Sequence, residues 1–395
     1  MNEFVLINGR TVLPEGICEN APVYVKDGRI AAVNGPVPAE VPQVDAEGGY
    51  ILPGFIDLHV HGGGGSDLMD ATPEDLQTMV KTHCAYGTTA IVPTTMTCSD
   101  EDLEKVIRNY AAFRKTPYEG AQILGLHLEG PYFAAAAKGA QPVSEERTPE
   151  RGVLEHMLEL SEGGILRWDA APELPGMELF AQVMLEHGVL PAIAHSGCNA
   201  ETAARAFGWG FRHMTHFYNA CTTYHKENGV SKAGNIEAAY INDDVTIELI
   251  SDGKHVPKES MLLAYKVKGP SRIALITDAM RAAGTREEFS MLGSRTGGTP
   301  VRIRDGVAQL MDLSRYAGSI CTMDRALRTA HLDCGIPLHE VSRMMSLTPA
   351  ELCGAEKTKG SLEPGKDADI VVMDPEFRVR QVYVKGASQH CAAGG

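Results

Sequence analysis

The chain has no Cys-x-x-Cys pair. Its nine cysteines (Cys18, Cys84, Cys98, Cys198, Cys221, Cys321, Cys334, Cys353 and Cys391) are odd in number and scattered. That pattern argues against a disulfide framework and a thiolate zinc site, so reduced thiols in a cytoplasmic protein are expected. No apolar run approaches the length of a membrane span. The first residues, MNEFVLINGRTVLPEG, lack a basic start and a long apolar core, so no secretory signal is expected. Basic residues are in short supply: 36 Lys and Arg stand against 51 Asp and Glu, a formal charge of −15. With no basic run, such a chain is a poor binder of nucleic acid or of a membrane surface, and its charge is read as solubility. No internal repeat is found, and no Gly-x-Gly-x-x-Gly follows an early strand to mark a dinucleotide site.

What is present is the composition of a soluble globular protein, 395 residues long and able to bury a large core. Both ends have the texture of short strands. Asn8-Gly9 and Asp27-Gly28 lie between apolar runs and signal hairpins. ADIVVMDPEF and RVRQVYVKG repeat this texture near the C-terminus. Between the ends, eight apolar runs alternate with helical patterns: GFIDLHVHG, TTAIVPTTMT, ILGLHLEGP, LRWDAAPE, LPAIAHSG, FRHMTHFYN, VTIELISDG and RIALITDAM. Thr72-Pro73-Glu74-Asp75 reads as a helix start. Leu103, Val106, Ile107 and Tyr110 recur at helical spacing, and Thr348-Pro349-Ala350-Glu351 opens a helix beyond the eighth run. The pattern predicts an α/β fold, a (β/α)8 TIM-like barrel with a small β-sandwich built from both termini. The expected division is 1–52 and 357–395 for the sandwich and 53–356 for the barrel.

Active sites of such barrels lie at the C-terminal ends of the strands. Five of the eight runs end in or near a metal-ligating or acid–base group: His59 and His61, Glu129, His195, His216 and Asp278. His59 and His61 are two apart on one run, so both side chains point to one face. A lone histidine or aspartate at a strand end is usually hydrogen-bonded filler or a turn residue. Five at one rim make a chemical set. Imidazole and carboxylate suit Zn, Fe or Mn. Glu129, His195 and His216 would supply a three-ligand site open to water. His59 and His61 would complete a second site or hold a solvent network, and Asp278 would act as general base. His83, His156, His187, His213, His225, His331, His339 and His390 are read as surface or structural residues.

The ordered motifs HVHGGGG, GLHLEGPYF, KGAQ, AIAHSG, THFYNA, SDGKHV, TDAM, AGS and LTPAELCG…KGSLEPGKDADIVV span nearly the whole chain. In this order they resemble the N-acetylglucosamine-6-phosphate deacetylase family of the amidohydrolase superfamily. The resemblance implies a metal-bearing barrel with a small β-sandwich, and removal of acetate from an amino-sugar phosphate. It implies Glu129, His195 and His216 as principal ligands, and His59 and His61 as a second-metal pair that only some members keep, so one or two ions are expected. It implies Asp278 as acid/base, with Ala140, Gln141, Asn219, Ala220, His255 and the segment Ala317-Gly318-Ser319 as substrate contacts. A homodimer with phosphate contacts across its interface is expected on the same ground.

Two departures bear on specificity. Gln141 stands where the family usually has histidine, and glutamine donates a hydrogen bond but cannot become charged. The family arginine after the sixth run is replaced by TYHKENGVSKAG, with Lys226 nearest and Lys232 second. Lysine binds phosphate as a point charge without arginine's bidentate fork. Another N-acetylhexosamine phosphate, an unphosphorylated amide, another amidohydrolase activity and a catalytically silent sugar-phosphate sensor stay open at this stage.

Overall fold

The computed structural model describes residues 3–142 and 146–389; His390 and Cys391 lie outside them. Eight parallel strands form the centre: Phe55–Val60, Thr88–Pro93, Leu126–Glu129, Ile165–Ala170, Leu190–Ile193, His213–Met214, Thr246–Ile250 and Ile273–Ile276. They fall on the eight apolar runs. The third to eighth strands form one continuous sheet in sequence order, and the first two pair with each other. Bridges from Thr94 to His127 and from Val60 to Ala279 close the ring into a TIM-like barrel. The strand residues are almost wholly buried, which is why these runs read as continuous rather than alternating apolar stretches.

Helices cover the barrel as their sequences direct. Pro73–Cys84 begins with Thr72, whose side chain accepts a hydrogen bond from the Asp75 amide, and it buries Leu76, Met79 and Val80. Asp100–Phe113 is capped by Ser99 and buries Leu103, Val106, Ile107 and Tyr110, the expected stripe.

Both termini build a pair of sheets. One has four strands, in the order Arg29–Val33, Val23–Lys26, Glu3–Ile7, Gln43–Asp45. The other has six: Ala387–Gln389, Val379–Val384, Ile370–Met373, Tyr50–Pro53, Arg10–Leu13 and Gly16–Glu19. Phe4, Leu6, Val23, Val25, Ile30, Ile51, Ile370, Val372 and Tyr383 form one apolar cluster between them.

One expectation needs correction. Asp27-Gly28 is a two-residue hairpin turn with both residues at positive φ, but Asn8-Gly9 joins strands of different sheets. Only Asn8 has positive φ there, whereas the expected hairpin turn requires it at both positions. The chain therefore crosses the sandwich instead of folding back. An element that the apolar runs do not announce lies beyond the eighth strand. Before the helix Met323–Arg328 the chain makes a four-stranded antiparallel sheet of Phe289–Leu292, Thr299–Arg304, Val307–Leu310 and Tyr316–Ser319. A bridge from Ala279 to Ser319 ties this sheet to the barrel mouth.

Candidate active site and metal centre

The first barrel strand places His59 and His61 on one face, with their Nε2 atoms 3.2 Å apart. Behind each ring a fixed acceptor holds the other nitrogen. His59 Nδ1 is 3.2 Å from Glu248 Oε2, and His61 Nδ1 is 3.2 Å from the Thr94 carbonyl. His195, after the fifth strand, is held the same way, with Nδ1 3.0 Å from the Ala137 carbonyl. Carbonyl oxygens only accept, so Nδ1 carries the proton in His61 and His195, and their Nε2 lone pairs face inward.

Those nitrogens converge on Glu129, at the end of the third strand. Glu129 Oε1 lies 3.1 Å from His195 Nε2 and 3.0 Å from His216 Nε2, and the two nitrogens are 3.1 Å apart. Glu129 Oε2 faces the first-strand pair, 3.4 Å from His61 Nε2 and 3.9 Å from His59 Nε2. Asp278 Oδ1 joins that pair at 3.1 Å from His61 and 3.5 Å from His59. All six side chains are buried. Inward-facing lone pairs at these separations repel each other unless a cation sits among them. The donor set is that of a divalent transition metal. Glu129, His195 and His216 form one possible metal-ligating group, and His59, His61 and Glu129 a second that shares the carboxylate.

The charges follow from this clustering. Burial alone would raise the Glu129 carboxyl, but the imidazoles of His195 and His216 against it hold it well below the usual range. Burial pulls the His61 ring down, yet Asp278 and Glu129 push it up to about 9. His216 is pushed up to about 9 against its own burial, chiefly by Glu129. Asp278 stays below the ordinary carboxylate range despite burial, because His59 and His61 face it.

Three of the six residues bend the backbone. His195, His216 and Asp278 have φ of 45°, 31° and 49°, in the sparsely populated left-handed region. Each follows the last residue of its strand by two, where the chain must turn over the mouth. Glycine provides close approach nearby. A Cβ on Gly62 would lie 2.4 Å from the Ser66 carbonyl oxygen, and one on Gly139 would meet His195 Cε1 at 3.2 Å.

A charged layer supports the cluster from inside the barrel. Glu248, fully buried on the seventh strand, takes Arg167 on Oε1 and contacts His59 through Oε2, which also accepts from the His216 amide at 3.3 Å. Arg167 reaches His127 Nδ1 at 2.7 Å, and His127 Nε2 is 2.8 Å from Asp169 Oδ2. Despite burial, Arg167 keeps Glu248 well below the usual carboxylate range. These supports were not foreseen in the sequence. An acid inside the apolar run VTIELIS is the signal that could have found Glu248.

The cluster floors a cavity of about 900 Å³. Ala140, Gln141, Asn219, Ala220, His255 and Gly318 line it, with Glu129, His61, His195, His216 and Asp278 below. Gln141 has a second engagement: its Nε2 donates to Glu129 Oε2 at 2.6 Å, and its Oε1 accepts from the Thr97 amide at 2.9 Å. His255 Nδ1 is 2.8 Å from Asp252 Oδ2, which leaves Nε2 for a ligand. Three expected substrate contacts are not brought to the cavity. Ala317 is buried in the added sheet. The Ser319 hydroxyl donates to the Thr277 carbonyl and its amide to the Asp278 carbonyl, so it braces the turn behind Asp278. Lys226 stands exposed on the hairpin of His225–Glu227 and Val230–Lys232, with Lys232 exposed beside it. In their place the added sheet contributes Leu292, Gln309, Leu313, Arg315 and Tyr316 to the cavity wall.

Comparison with known proteins places this arrangement. The amidohydrolase family model matches residues 50–388. An N-acetylglucosamine-6-phosphate deacetylase of Lysinibacillus sphaericus is 33% identical, covering 97% of this chain and 96% of the relative. An N-acetylgalactosamine-6-phosphate deacetylase of Escherichia coli O157:H7 is 32% identical, covering 97% and 98%. A Mycobacterium smegmatis N-acetyl-D-glucosamine-6-phosphate deacetylase mutant, solved in complex with N-acetyl-D-glucosamine-6-phosphate, superposes with a TM-score of 0.91 at 28% identity, covering 98% and 99%. With the family model matched over residues 50–388 and relatives above 30% identity over nearly its whole length, this chain belongs to the amidohydrolase family.

Proposed function

We propose that this chain hydrolyses the N-acetyl group of N-acetylglucosamine 6-phosphate, releasing acetate and glucosamine 6-phosphate. The observation that carries the reading is the convergence of Glu129, His195, His216 and Asp278 on the floor of one cavity large enough for an amino-sugar phosphate. Glu129, His195 and His216 would hold one divalent ion and His59 and His61, sharing Glu129, a second; zinc is the first candidate for this nitrogen and oxygen set. Bound there, such an ion would supply Lewis acidity and lower the pKa of water toward neutrality.

The protein's own groups then divide the work. Asp278, held ionised by its imidazole neighbours, accepts the proton of the attacking water as the new C–O bond forms at the acetyl carbon. His255, with Nδ1–H held on Asp252, donates through Nε2 to the developing oxyanion in its doubly protonated form. Asp278 returns the proton to the nitrogen as the C–N bond breaks, so the amine leaves neutral with acetic acid, which then gives up its remaining proton to the amine or to solvent and departs as acetate. Gln141 fixes the Glu129 carboxylate throughout. No disulfide joins the eight described cysteines, which fits a reducing, cytoplasmic setting, and a homodimer remains the expected assembly.

The test is acetate release from N-acetylglucosamine 6-phosphate, N-acetylgalactosamine 6-phosphate and both unphosphorylated sugars. The first is expected to show the highest kcat/KM. A preference for the galactosamine compound would move the assignment to the chemistry of the second relative. No turnover of any N-acetyl sugar by metal-loaded protein would end the reading.

A further inference from the structure

The cavity floor carries two carboxylates, Glu129 and Asp278, and a phosphate entering above them needs a permanent cation on the wall. Among the described residues lining the cavity, Arg315 is the only lysine or arginine. It lies on the turn between Val307–Leu310 and Tyr316–Ser319, in the sheet added beyond the barrel. One guanidinium nitrogen is spent: Nη1 donates to the Gly139 carbonyl at 3.1 Å, beside Ala140 and Gln141. That bond aims the fork while leaving most of its five donors available. No carboxylate among the described residues pairs with it directly. The nearby Asp312 carboxylate accepts from the Ser314 hydroxyl and amide instead. Its neighbour Tyr316 packs its ring 5.0 Å from that of His255, so the turn is seated against a residue of the cavity wall. A second donor is unspent on the same wall: Asn219 Nδ2 is buried without a partner. The hairpin lysines 226 and 232, by contrast, are exposed and do not line the cavity.

We propose that Arg315 reads the phosphate of the substrate from within the same chain and sets the preference for phosphorylated over neutral N-acetyl sugars. The inference rests on the deacetylase reading above and adds to it a residue outside the hydrolytic cluster. The planar fork matches a phosphate edge bidentately, which neither hairpin lysine offers.

The experiment measures kcat and KM on metal-loaded protein with N-acetylglucosamine 6-phosphate and with N-acetylglucosamine. The proteins are wild type, Arg315→Met, Arg315→Lys, Lys226→Met and Lys232→Met. Arg315→Met is expected to raise KM for the phosphorylated sugar about 10- to 100-fold, the range of a lost charge-assisted contact, with kcat nearly unchanged. The neutral sugar should be unaffected, and Arg315→Lys should recover part of the loss. Calorimetric binding of glucosamine 6-phosphate, with glucosamine as control, reads the same site without turnover and should weaken in parallel. Because Arg315 is exposed and makes one backbone bond, its variants should melt with wild type. An unchanged KM and unchanged product binding in Arg315→Met would overturn the proposal. So would equal losses on both sugars, or the phosphate effect appearing at Lys226 or Lys232 instead. Wild-type protein that deacetylates only neutral compounds would sink the functional reading. The binding arm still judges Arg315 in that case: equal affinity in wild type and Arg315→Met for glucosamine 6-phosphate rejects it.

Discussion

The floor and the wall of the cavity are built on different principles. Every group on the floor sits at or just past a barrel strand and is buried, and most are held from behind by a second contact, as Glu248 holds His59 and Gln141 holds Glu129. The wall is largely loop and added sheet, and Leu313, Arg315 and Tyr316 are exposed there. Rigid strand ends hold atoms to the tolerance that catalysis requires, whereas loops vary at little cost to the core. The difference teaches that reaction type and substrate choice are written in separate parts of this molecule.

The sharpest way to break that comparison is at the floor. Exhaustive chelation should abolish acetate release, and a divalent cation should restore it; a stripped protein that keeps its rate would remove the cluster from catalysis. Asp278→Asn comes next. It should bind metal as wild type does and lose about 10²- to 10⁴-fold in kcat, the span of a missing acid–base group. Near-normal turnover would show that another group moves the proton. Glu248→Gln is smaller and more specific. It removes charge behind His59 without touching substrate, so metal at the His59–His61 pair should weaken about 10- to 100-fold while the Glu129–His195–His216 site stays filled. Metal content by mass spectrometry after graded dialysis checks this, and equal loss from both sites would refute the separation.

The smallest effect concerns a buried charge far from the floor. Among the described residues Lys268 has no carboxylate partner in the way that Arg167 has Glu248; its ammonium donates to the carbonyls of Ala239 and Asn242, and burial pulls it down to about 8. Its folded pKa lies below the unfolded value, so folding favours the neutral amine. The stabilising contribution is present above about pH 10.5 and is lost as pH falls through about 8. The Tm of wild type relative to Lys268→Met should therefore rise between these two values. A gap independent of pH would mean that Lys268 is well solvated in the fold.

Much of this division could be read before the structure. His59-Val60-His61 and the endings LHLEGP, AIAHSG, THFYNA and TDAM fall at strand ends, where barrel geometry forces convergence, so six side chains could be gathered from one chain of letters. The eight strands were equally legible, because burial on both faces leaves unbroken apolar runs. What escaped was governed by contacts made at a distance. Nothing local distinguishes the Asn8-Gly9 corner from the Asp27-Gly28 hairpin; the partners of the flanking strands decide it. Arg315 lies in a polar turn that carries no periodic signal, and it enters the cavity only because the added sheet bridges back from Ser319 to Ala279. Lys226 stands nearest in sequence to the place of the family arginine, and on its exposed two-stranded hairpin it does not line this chain's own cavity.

The left-handed bends at His195, His216 and Asp278 have an evolutionary corollary. Histidine, aspartate and asparagine are the side chains that tolerate such a twist best, and histidine and aspartate are also the ones that ligate ions and shuttle protons. Main-chain shape thus narrows the alphabet available at these three positions before any selection for turnover begins. Drift there should run along His, Asp and Asn, and lineages that abandon the chemistry should be recognisable by losing the twist along with the letter.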